Sequence, residues 1–156
     1  MRHAWRTDWT ALLALNQASV QELSPLDEQR LDYILDLAES CLVIARGEEI
    51  LAFALAVAPG TDYDSSNYAW FSERYERFLY LDRIAVGTEQ RRQGFGAQLY
   101  DAMEARAEPF GQMVCDVNTV PRNHASLAFH AARGYREVGQ LDHPEGKRVA
   151  LMSKKL

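Results

Sequence analysis

The sequence is poor in cysteine and proline and has no long apolar run. Its 156 residues include two cysteines and five prolines. Cys41 and Cys115 each lie in an apolar run typical of a strand, so we expect two reduced, buried thiols and not a disulfide scaffold. No segment reaches the roughly 18 apolar residues that a membrane span needs, and the first residues lack the apolar core of a signal peptide. The expected location is therefore the cytoplasm.

Positive charge is also in the minority. Lys and Arg number 17 against 22 Asp and Glu, which gives a formal net charge of -5. The lack of an overall positive field argues against nucleic acid and acidic membranes as partners. An apolar share of 47% and a charged share of 25% are typical of a globular protein, and the length predicts one domain covering residues 1–156.

The hydrophobic pattern predicts a chain that mixes helices and strands. Two helices open it, and Asp8 is the expected N-cap of the first. The predicted elements are, in order, helices over 9–20 and 31–38, an antiparallel hairpin of strands over 41–45 and 50–58, a strand over 78–86, a helix over 95–103, a strand over 113–117, a helix over 123–133 and closing strands over 135–141 and 148–152. This order indicates an α/β (α+β) fold, antiparallel at first and with βα units later.

The stretch 59–77 is polar and aromatic and has no clean period. Connections of this length without regular structure tend to be binding loops or lids. One interpretation is an acidic, aromatic lid over a cationic acceptor, with Tyr63, Trp70 and Tyr75 as substrate contacts. The other is an ordinary loop with a few side chains anchored in the core.

Alternate residues of the predicted strand 78–86 divide between two faces. One face is expected to carry Phe78, Tyr80, Asp82, Ile84 and Val86. An Asp inside an apolar strand is costly to bury unless it is paired or used. Asp82 is therefore either a catalytic base, with Tyr80 beside it as a substrate contact, or the partner of a nearby Arg in an ion pair.

The most informative segment covers residues 86–97, where a predicted strand passes through a glycine-bearing turn into a helix. Such a turn presents free backbone N–H groups beside the positive end of the helix dipole, which favours phosphate binding. Gly94 and Gly96 let an anion approach the main chain, and Arg91 and Arg92 add charged donors. The segment lacks the Gly-Lys-Ser/Thr of a Walker loop and the third glycine of the dinucleotide fingerprint.

The pattern Arg91-x-x-Gly94-x-Gly96-Ala97 resembles the acyl-CoA-binding motif of the GNAT superfamily of N-acetyltransferases, Gln/Arg-x-x-Gly-x-Gly/Ala. A second block over 123–135 resembles the superfamily's Asn-x-x-Ala/Ser-x-x-Phe/Leu-Tyr-x-x-x-Gly-Phe segment. The strings over 74–84 and 117–130 are similar to a bacterial branch of GNAT enzymes that has no assigned substrate.

The resemblance implies a mixed sheet of six to seven strands, splayed between strands 4 and 5 and flanked by four helices. Pantetheine would lie in the gap as a pseudo-strand, and the CoA diphosphate would lie on the amides of the turn. The cofactor contacts implied in this way are Ile84, Ala85, Val86, Arg91, Arg92, Gln93, Gly94, Phe95, Gly96, Ala97, Asn123 and His130.

The resemblance also suggests where protons move. His130 occupies the position at which many members carry a Tyr that protonates the departing CoA thiolate, so it is a candidate catalytic residue with Asp82. Asn123 either contacts the cofactor or caps the following helix. Asn118 falls where some relatives place a catalytic Glu; because an amide cannot take a proton, we expect it to contact substrate.

The implied activity is acetyl transfer from acetyl-CoA, without a metal, to an amine of a small molecule, an amino acid or a peptide terminus. The amine would attack the thioester directly in a ternary complex. The superfamily is often dimeric, so a homodimer is implied as a partner. Two other classes stay open: an acyl-CoA-binding regulatory module with little turnover, and a hydrolase with Cys115 as nucleophile, against which burial argues.

Overall fold

Seven strands and five α-helices make up the chain in the computed structural model, which describes all 156 residues. The strands are β1 (Arg2–His3), β2 (Ala38–Arg46), β3 (Glu49–Val57), β4 (Leu79–Val86), β5 (Gln112–Val120), β6 (Arg136–Asp142) and β7 (Arg148–Lys155). The helices are α1 (Trp9–Ala18), α2 (Glu28–Leu37), α3 (Ser66–Ser72), α4 (Phe95–Ala107) and α5 (His124–Ala132). None of these helices has both the length and the apolar character that crossing a bilayer requires.

The strands form one sheet in the order β1-β2-β3-β4-β5-β7-β6. All neighbours are antiparallel except β4 and β5, which run parallel. This parallel pair is joined only at Leu79↔Met113 and Tyr80↔Val114, although both strands continue well beyond these pairs. One edge of β4 is therefore left without a strand partner, and the predicted splay between the fourth and fifth strands is confirmed.

Each face of the sheet carries its own hydrophobic core. On one face, α1, α2 and α3 pack through buried side chains such as Leu12, Leu31 and Phe71. On the other face, α4 packs through Leu99 and Met103, with α5 beside it. Because both faces are covered, β3 is buried at every position after its first, which explains its continuous apolar run.

A β-bulge at Asp82 changes which residues of β4 share a face. The β4 residues on either side of Asp82 pair with consecutive residues of β3, so Asp82 is the extra residue. An inserted residue reverses the alternation of the side chains that follow it. Tyr80 lies in the core under α1, whereas Ile84 and Val86 pack on the opposite face. The expected grouping of Ile84 and Val86 with Tyr80 and Asp82 is therefore wrong.

The bulge is held by a buried ion pair. Arg83 Nε donates to Asp82 Oδ2 at 2.6 Å, and the two side chains are 3% and 5% exposed. Arg83 also donates to Asn16 Oδ1 on α1 at 2.9 Å and to the Ser24 hydroxyl at 3.2 Å. The Asn16 amide donates to the Ser24 carbonyl at 3.0 Å. This polar network fixes the connection between α1 and α2 against the bulge.

Asp8 occupies the predicted N-cap position of α1, but its side chain does not make the capping hydrogen bond. Asp8 directly precedes α1, but its carboxylate accepts no hydrogen bond from that helix. It accepts one from the Trp5 backbone N–H at 2.7 Å and is bound by both terminal nitrogens of Arg2, at 2.6 and 2.9 Å. The bidentate pair with Arg2 stabilises the turn before α1, because two charge-assisted bonds outcompete one cap bond.

The stretch 59–77 contains a helix that the sequence did not reveal. Ser65 caps α3 by accepting a hydrogen bond from the Tyr68 backbone N–H at 3.3 Å. Tyr63, Tyr68 and Phe71 are buried in the core, 6%, 2% and 0% exposed. A helix of about two turns is too short to show a reliable period. Most of the aromatic side chains in this stretch are core anchors.

Replacing Arg83 by Met is expected to destabilise the fold by about 3–5 kcal/mol, because it leaves Asp82 charged and unpaired inside the protein. Urea denaturation monitored by circular dichroism measures this loss. Adding Asp82→Asn should recover part of it, and Arg136→Met on the exposed part of β6 is the control. A loss below 1 kcal/mol for Arg83→Met would contradict a stabilising role for the pair.

Candidate active site

The turn between β4 and α4 presents a row of free backbone amides. No N–H group of residues 91–97 has an acceptor in the protein, and the next amide, that of Gln98, donates to the Gly94 carbonyl at 3.0 Å. The last three residues of this row form the first turn of α4, where the helix dipole adds partial positive charge. The row is therefore a preformed anion site.

The two glycines of this turn have different roles. Gly94 has φ 85°, a left-handed conformation that other residues adopt at a cost. A Cβ added at Gly96 would meet only Val86 Cγ2, at 4.0 Å, so the space in front of its main chain is open. Arg91 and Arg92 are exposed and form no ion pair, which leaves both guanidinium groups free for an anion.

The other side chains of the turn support its shape. Gln93 Nε2 donates to the Glu89 carbonyl at 3.0 Å, inside the turn itself. Phe95 packs against the core under α4, and Ala97 is half-buried beside it. These three predicted cofactor contacts therefore offer their backbone amides to a ligand.

A cavity of about 470 Å³ fills the gap between β4 and β5. The free edge of β4 borders it through residues 84–86, and Arg91 stands at the end near the amide row. The connection between α1 and α2 forms a wall from one face of the sheet, and α5 contributes Asn123 and His130 from the other. Half of the predicted cofactor contacts thus border one cleft that passes through the sheet, and the others lie in the adjoining turn.

Asp116 of β5 stands between this cleft and a second cavity of about 330 Å³. The Tyr80 hydroxyl donates to Asp116 Oδ1 at 2.7 Å. Burial raises the pKa of Asp116 to about 6, although the hydrogen bond from Tyr80 acts in the opposite direction; the negative charge of Asp82 raises it further. A carboxylate with this pKa is a stronger base than an ordinary Asp and is still largely ionised at pH 7.

Asp82, predicted as the catalytic base, borders both cavities but has both oxygens engaged. The Tyr63 hydroxyl donates to Oδ1 at 2.5 Å and Arg83 donates to Oδ2. The ion pair that the sequence left open for Asp82 is therefore present. Of the two carboxylates, Asp116 is the one without an ion-pair partner, which gives it the greater freedom to accept a proton.

His130 forms a buried pair with Tyr100 of α4. His130 Nδ1 lies 2.7 Å from the Ser126 carbonyl and must donate to it, so Nε2 is left as an acceptor for the Tyr100 hydroxyl at 2.5 Å. Both side chains border the cleft. Burial lowers the pKa of His130, which keeps the imidazole mainly neutral at pH 7.

Two asparagines of the predicted site make structural contacts. Asn123 Oδ1 accepts a hydrogen bond from the Ser126 backbone N–H at 3.1 Å and so caps α5, the second of the two roles that the sequence allowed. Asn118 Nδ2 donates to the carbonyl of Glu22 at 3.3 Å and ties β5 to the α1–α2 connection. Both side chains still border the cleft.

The aromatic residues predicted as substrate contacts separate into two groups. Tyr63 and Tyr80 border the second cavity. Trp70 instead packs on Gly139 of β6, in the space that a Cβ there would fill. Tyr75 stacks on Phe71, with ring centroids 6.3 Å apart, and borders none of the cavities described here. Trp70 and Tyr75 are thus not brought to the candidate site.

Cys115 borders the cleft but is poorly suited to nucleophilic attack. Burial raises the pKa of its thiol well above the usual value, so almost no thiolate exists at neutral pH. Cys41 is also a free, buried thiol, as expected. The geometry disfavours the hydrolase interpretation.

Sequence reasoning missed Asp116, Tyr100 and the α1–α2 connection as parts of the site. Asp116 carried the same signal as Asp82, a carboxylate inside an apolar strand. Tyr100 lies among the apolar residues of α4 and gave no signal, because its partner His130 is 30 positions away. The connection belongs to the part of the chain that no motif covers.

Comparison with known proteins agrees with this geometry. The profile of the Acetyltransferase (GNAT) family matches residues 2–135. No curated protein matches the sequence closely enough to count as a relative. Among solved structures, ribosomal-protein-alanine N-acetyltransferase from Brucella melitensis is 22% identical with TM-score 0.71, covering 99% of this chain and 98% of that one.

Two further structures share the fold. Ard1 from Thermoplasma volcanium is 16% identical with TM-score 0.79, covering 99% of this chain and 95% of that one. A phosphinothricin acetyltransferase from Sinorhizobium meliloti, solved in complex with AcCoA, is 20% identical with TM-score 0.71, covering 99% and 86%. The family profile spans most of the chain, and these structures share its fold over nearly all of it. The chain therefore belongs to the GNAT family of acetyltransferases.

Proposed function

We propose that the protein transfers an acetyl group from acetyl-CoA to a primary amine in a ternary complex. The observation that carries this proposal is the row of unbonded amides at residues 91–97, which opens into a cleft along the unpaired edge of β4. A diphosphate suits the first feature and an extended pantetheine the second. Asp116 stands at the far side of the same cleft, where an amine would enter.

The residues present fit the coenzyme. The amides of residues 91–97 hold the diphosphate, and Arg91 and Arg92 add charge from the exposed side of the turn. Residues 84–86 offer the backbone groups of a free strand edge to pantetheine, and the Val86 N–H is the donor proposed for the thioester carbonyl. Bound acetyl-CoA supplies the activated acetyl thioester. Holding both reactants together removes a large part of the entropic barrier, on the order of 7–11 kcal/mol in favourable cases.

The acceptor amine binds in the second cavity with Asp116 as its base. The carboxylate stands between this cavity and the cleft, and its pKa of about 6 matches the task of taking a proton near neutral pH. Asp82 holds Tyr63 and Arg83 in the wall of the second cavity through its two hydrogen bonds. Its negative charge helps to keep the pKa of Asp116 raised.

On the opposite face of the sheet, Tyr100 and His130 serve the departing thiolate. The hydroxyl and the imidazole form one hydrogen-bonded pair at the cleft wall. Because both ring nitrogens of His130 already have partners, the imidazole positions the Tyr100 hydroxyl, which gives its proton to the thiolate and regains one from solvent after CoA leaves. Asp116 and the Tyr100–His130 pair lie on different faces of the sheet. Proton removal from the amine and proton donation to the thiolate therefore take place at separate groups.

Gly96→Asp should abolish most coenzyme binding without harming the fold. The added carboxylate lies in the first turn of α4, where it interacts favourably with the helix dipole but repels a diphosphate. We expect the Kd for CoA, measured by calorimetry, to rise at least tenfold, with no fall in Tm. Gly96→Asn is the neutral control of equal size. Equal affinities of the two variants would contradict diphosphate binding here.

Asp116→Asn should lower kcat by about 10²–10⁴-fold and leave the Kd for CoA unchanged. For the wild type, activity should fall as the pH drops through about 6, because protonated Asp116 cannot accept a proton. The variant should lack this acid limb. The measurement is release of CoA thiol with a panel of amines, and mass spectrometry identifies the products.

The exposed Asp36→Asn variant on α2 is the control for this experiment. An unchanged acid limb in Asp116→Asn would exclude Asp116 as the base. Coenzyme binding without thiol release for any amine would instead favour the regulatory module.

Tyr100→Phe should lower kcat at least tenfold and leave the Kd for CoA unchanged. Tyr135→Phe is the matched control, because its hydroxyl, in the connection after α5, donates to Glu104 of α4 at 3.0 Å but borders neither cavity. Each change removes one buried hydrogen bond, worth about 1 kcal/mol, so Tm should shift alike. Equal kcat values for the two variants would count against Tyr100 and His130.

A further inference from the structure

The second cavity contains charged groups that are almost all neutralised by each other. Arg30 binds Asp64 through both terminal nitrogens, at 2.6 and 2.8 Å. Arg83 is paired with Asp82, as described above. Glu22 is exposed at the rim. These pairs leave the cavity interior with little net charge of their own.

Two groups of opposite sign stay uncompensated in this cavity. Lys147 has no carboxylate within 4.0 Å and donates no hydrogen bond to the protein. Asp116 has no basic group within that distance; the Tyr80 hydroxyl donates to its Oδ1, and the Asn67 side chain also stabilises its ionised form. Lys147 is nevertheless close enough for its charge to lower the pKa of Asp116. The pKa of His143 is lowered mainly by burial and further by the charge of Lys147.

The turn that carries Lys147 is fixed in place. It connects β6 and β7, and the His143 backbone N–H donates to the Lys147 carbonyl at 2.7 Å. The His143 ring nitrogen Nε2 lies 2.8 Å from Asn67 Oδ1, which anchors the turn to α3. Lys147 therefore faces the cavity from its outer wall, while Asp116 faces it from the wall shared with the cleft.

We propose that the acceptor is a free amino acid, whose amine faces Asp116 and whose carboxylate faces Lys147. This proposal rests on the proposed acetyl transfer and specifies its acceptor. A volume of about 330 Å³ is at the small end for ligand sites, which suits a single zwitterion. A polyamine would place a second positive charge against Lys147. An amine without a carboxylate, including most peptide termini, would leave Lys147 unpaired.

The test compares acceptors that differ only in the group beside the amine. The full-length protein is incubated with acetyl-CoA and with each of the common L-amino acids, the corresponding amino acid amide and the decarboxylated amine. We expect at least one free amino acid to be acetylated with a kcat/KM at least tenfold above that of its amide and its amine. Mass spectrometry of the N-acetyl products provides the readout.

Lys147→Met tests the assigned partner directly. It should raise the KM for the preferred amino acid at least tenfold and leave the KM values for its amide and for acetyl-CoA unchanged, whereas Lys147→Arg should retain the preference. Lys155→Met, at the other end of β7, is the control and should behave like the wild type. Because Lys147 is partly exposed and unpaired, its loss should not unfold the protein.

The outcomes distinguish the two proposals. Equal use of amino acids and their amides, full activity on polyamines or peptide termini, or an unaltered preference in Lys147→Met would overturn the amino acid proposal and leave acetyl transfer standing. Absence of thiol release with every amine tested would overturn acetyl transfer itself, and the acceptor proposal with it.

Discussion

The parting of β4 and β5 after two residue pairs is the constraint on which the site depends. Backbone groups inside a sheet are normally bonded to a neighbouring strand, and a free edge within a sheet is costly unless something occupies it. Here the split is maintained from both sides. The Arg83 network holds the α1–α2 connection against one face, and Tyr100 with His130 joins α4 to α5 on the other. These contacts hold β4 and β5 apart beyond their two shared pairs.

The bulge at Asp82 connects this architecture to the chemistry. Without the extra residue, Ile84 and Val86 would project toward α1 and the second cavity. With it, they pack toward α4, and the polar side chains of Asp82 and Arg83 border the second cavity. Asp116 obtains its raised pKa partly from the negative charge that the bulge places nearby. One inserted residue therefore arranges the apolar wall of one side of the cleft and the charged wall of the other.

Much of the fold and of the anion-binding turn could be predicted from the sequence, because these features depend on local patterns. Apolar periodicity located most strands and helices, and Gly94 and Gly96 between a strand and a helix indicated the free amides. The bulge could not be predicted, since it depends on the pairing of β4 with β3. The network of Asp82 with Tyr63, and the pair of Tyr100 with His130, join residues 19 and 30 positions apart, which no local pattern records. Helix α3 was too short to reveal itself.

The cleft is bordered by elements from both faces of the sheet, and this has a consequence for the order of events. Under the proposed function, the coenzyme would reach the cleft from the end of β4, beside α4, whereas the second cavity opens between α3, the α1–α2 connection and the β6–β7 turn. When two substrates enter by separate openings, neither has to bind before the other. For the proposed acetyl transfer, such a passage would permit sequential kinetics with random addition of the two substrates. A bisubstrate molecule that links the coenzyme to the amine through the acetyl group would span the sheet from one face to the other.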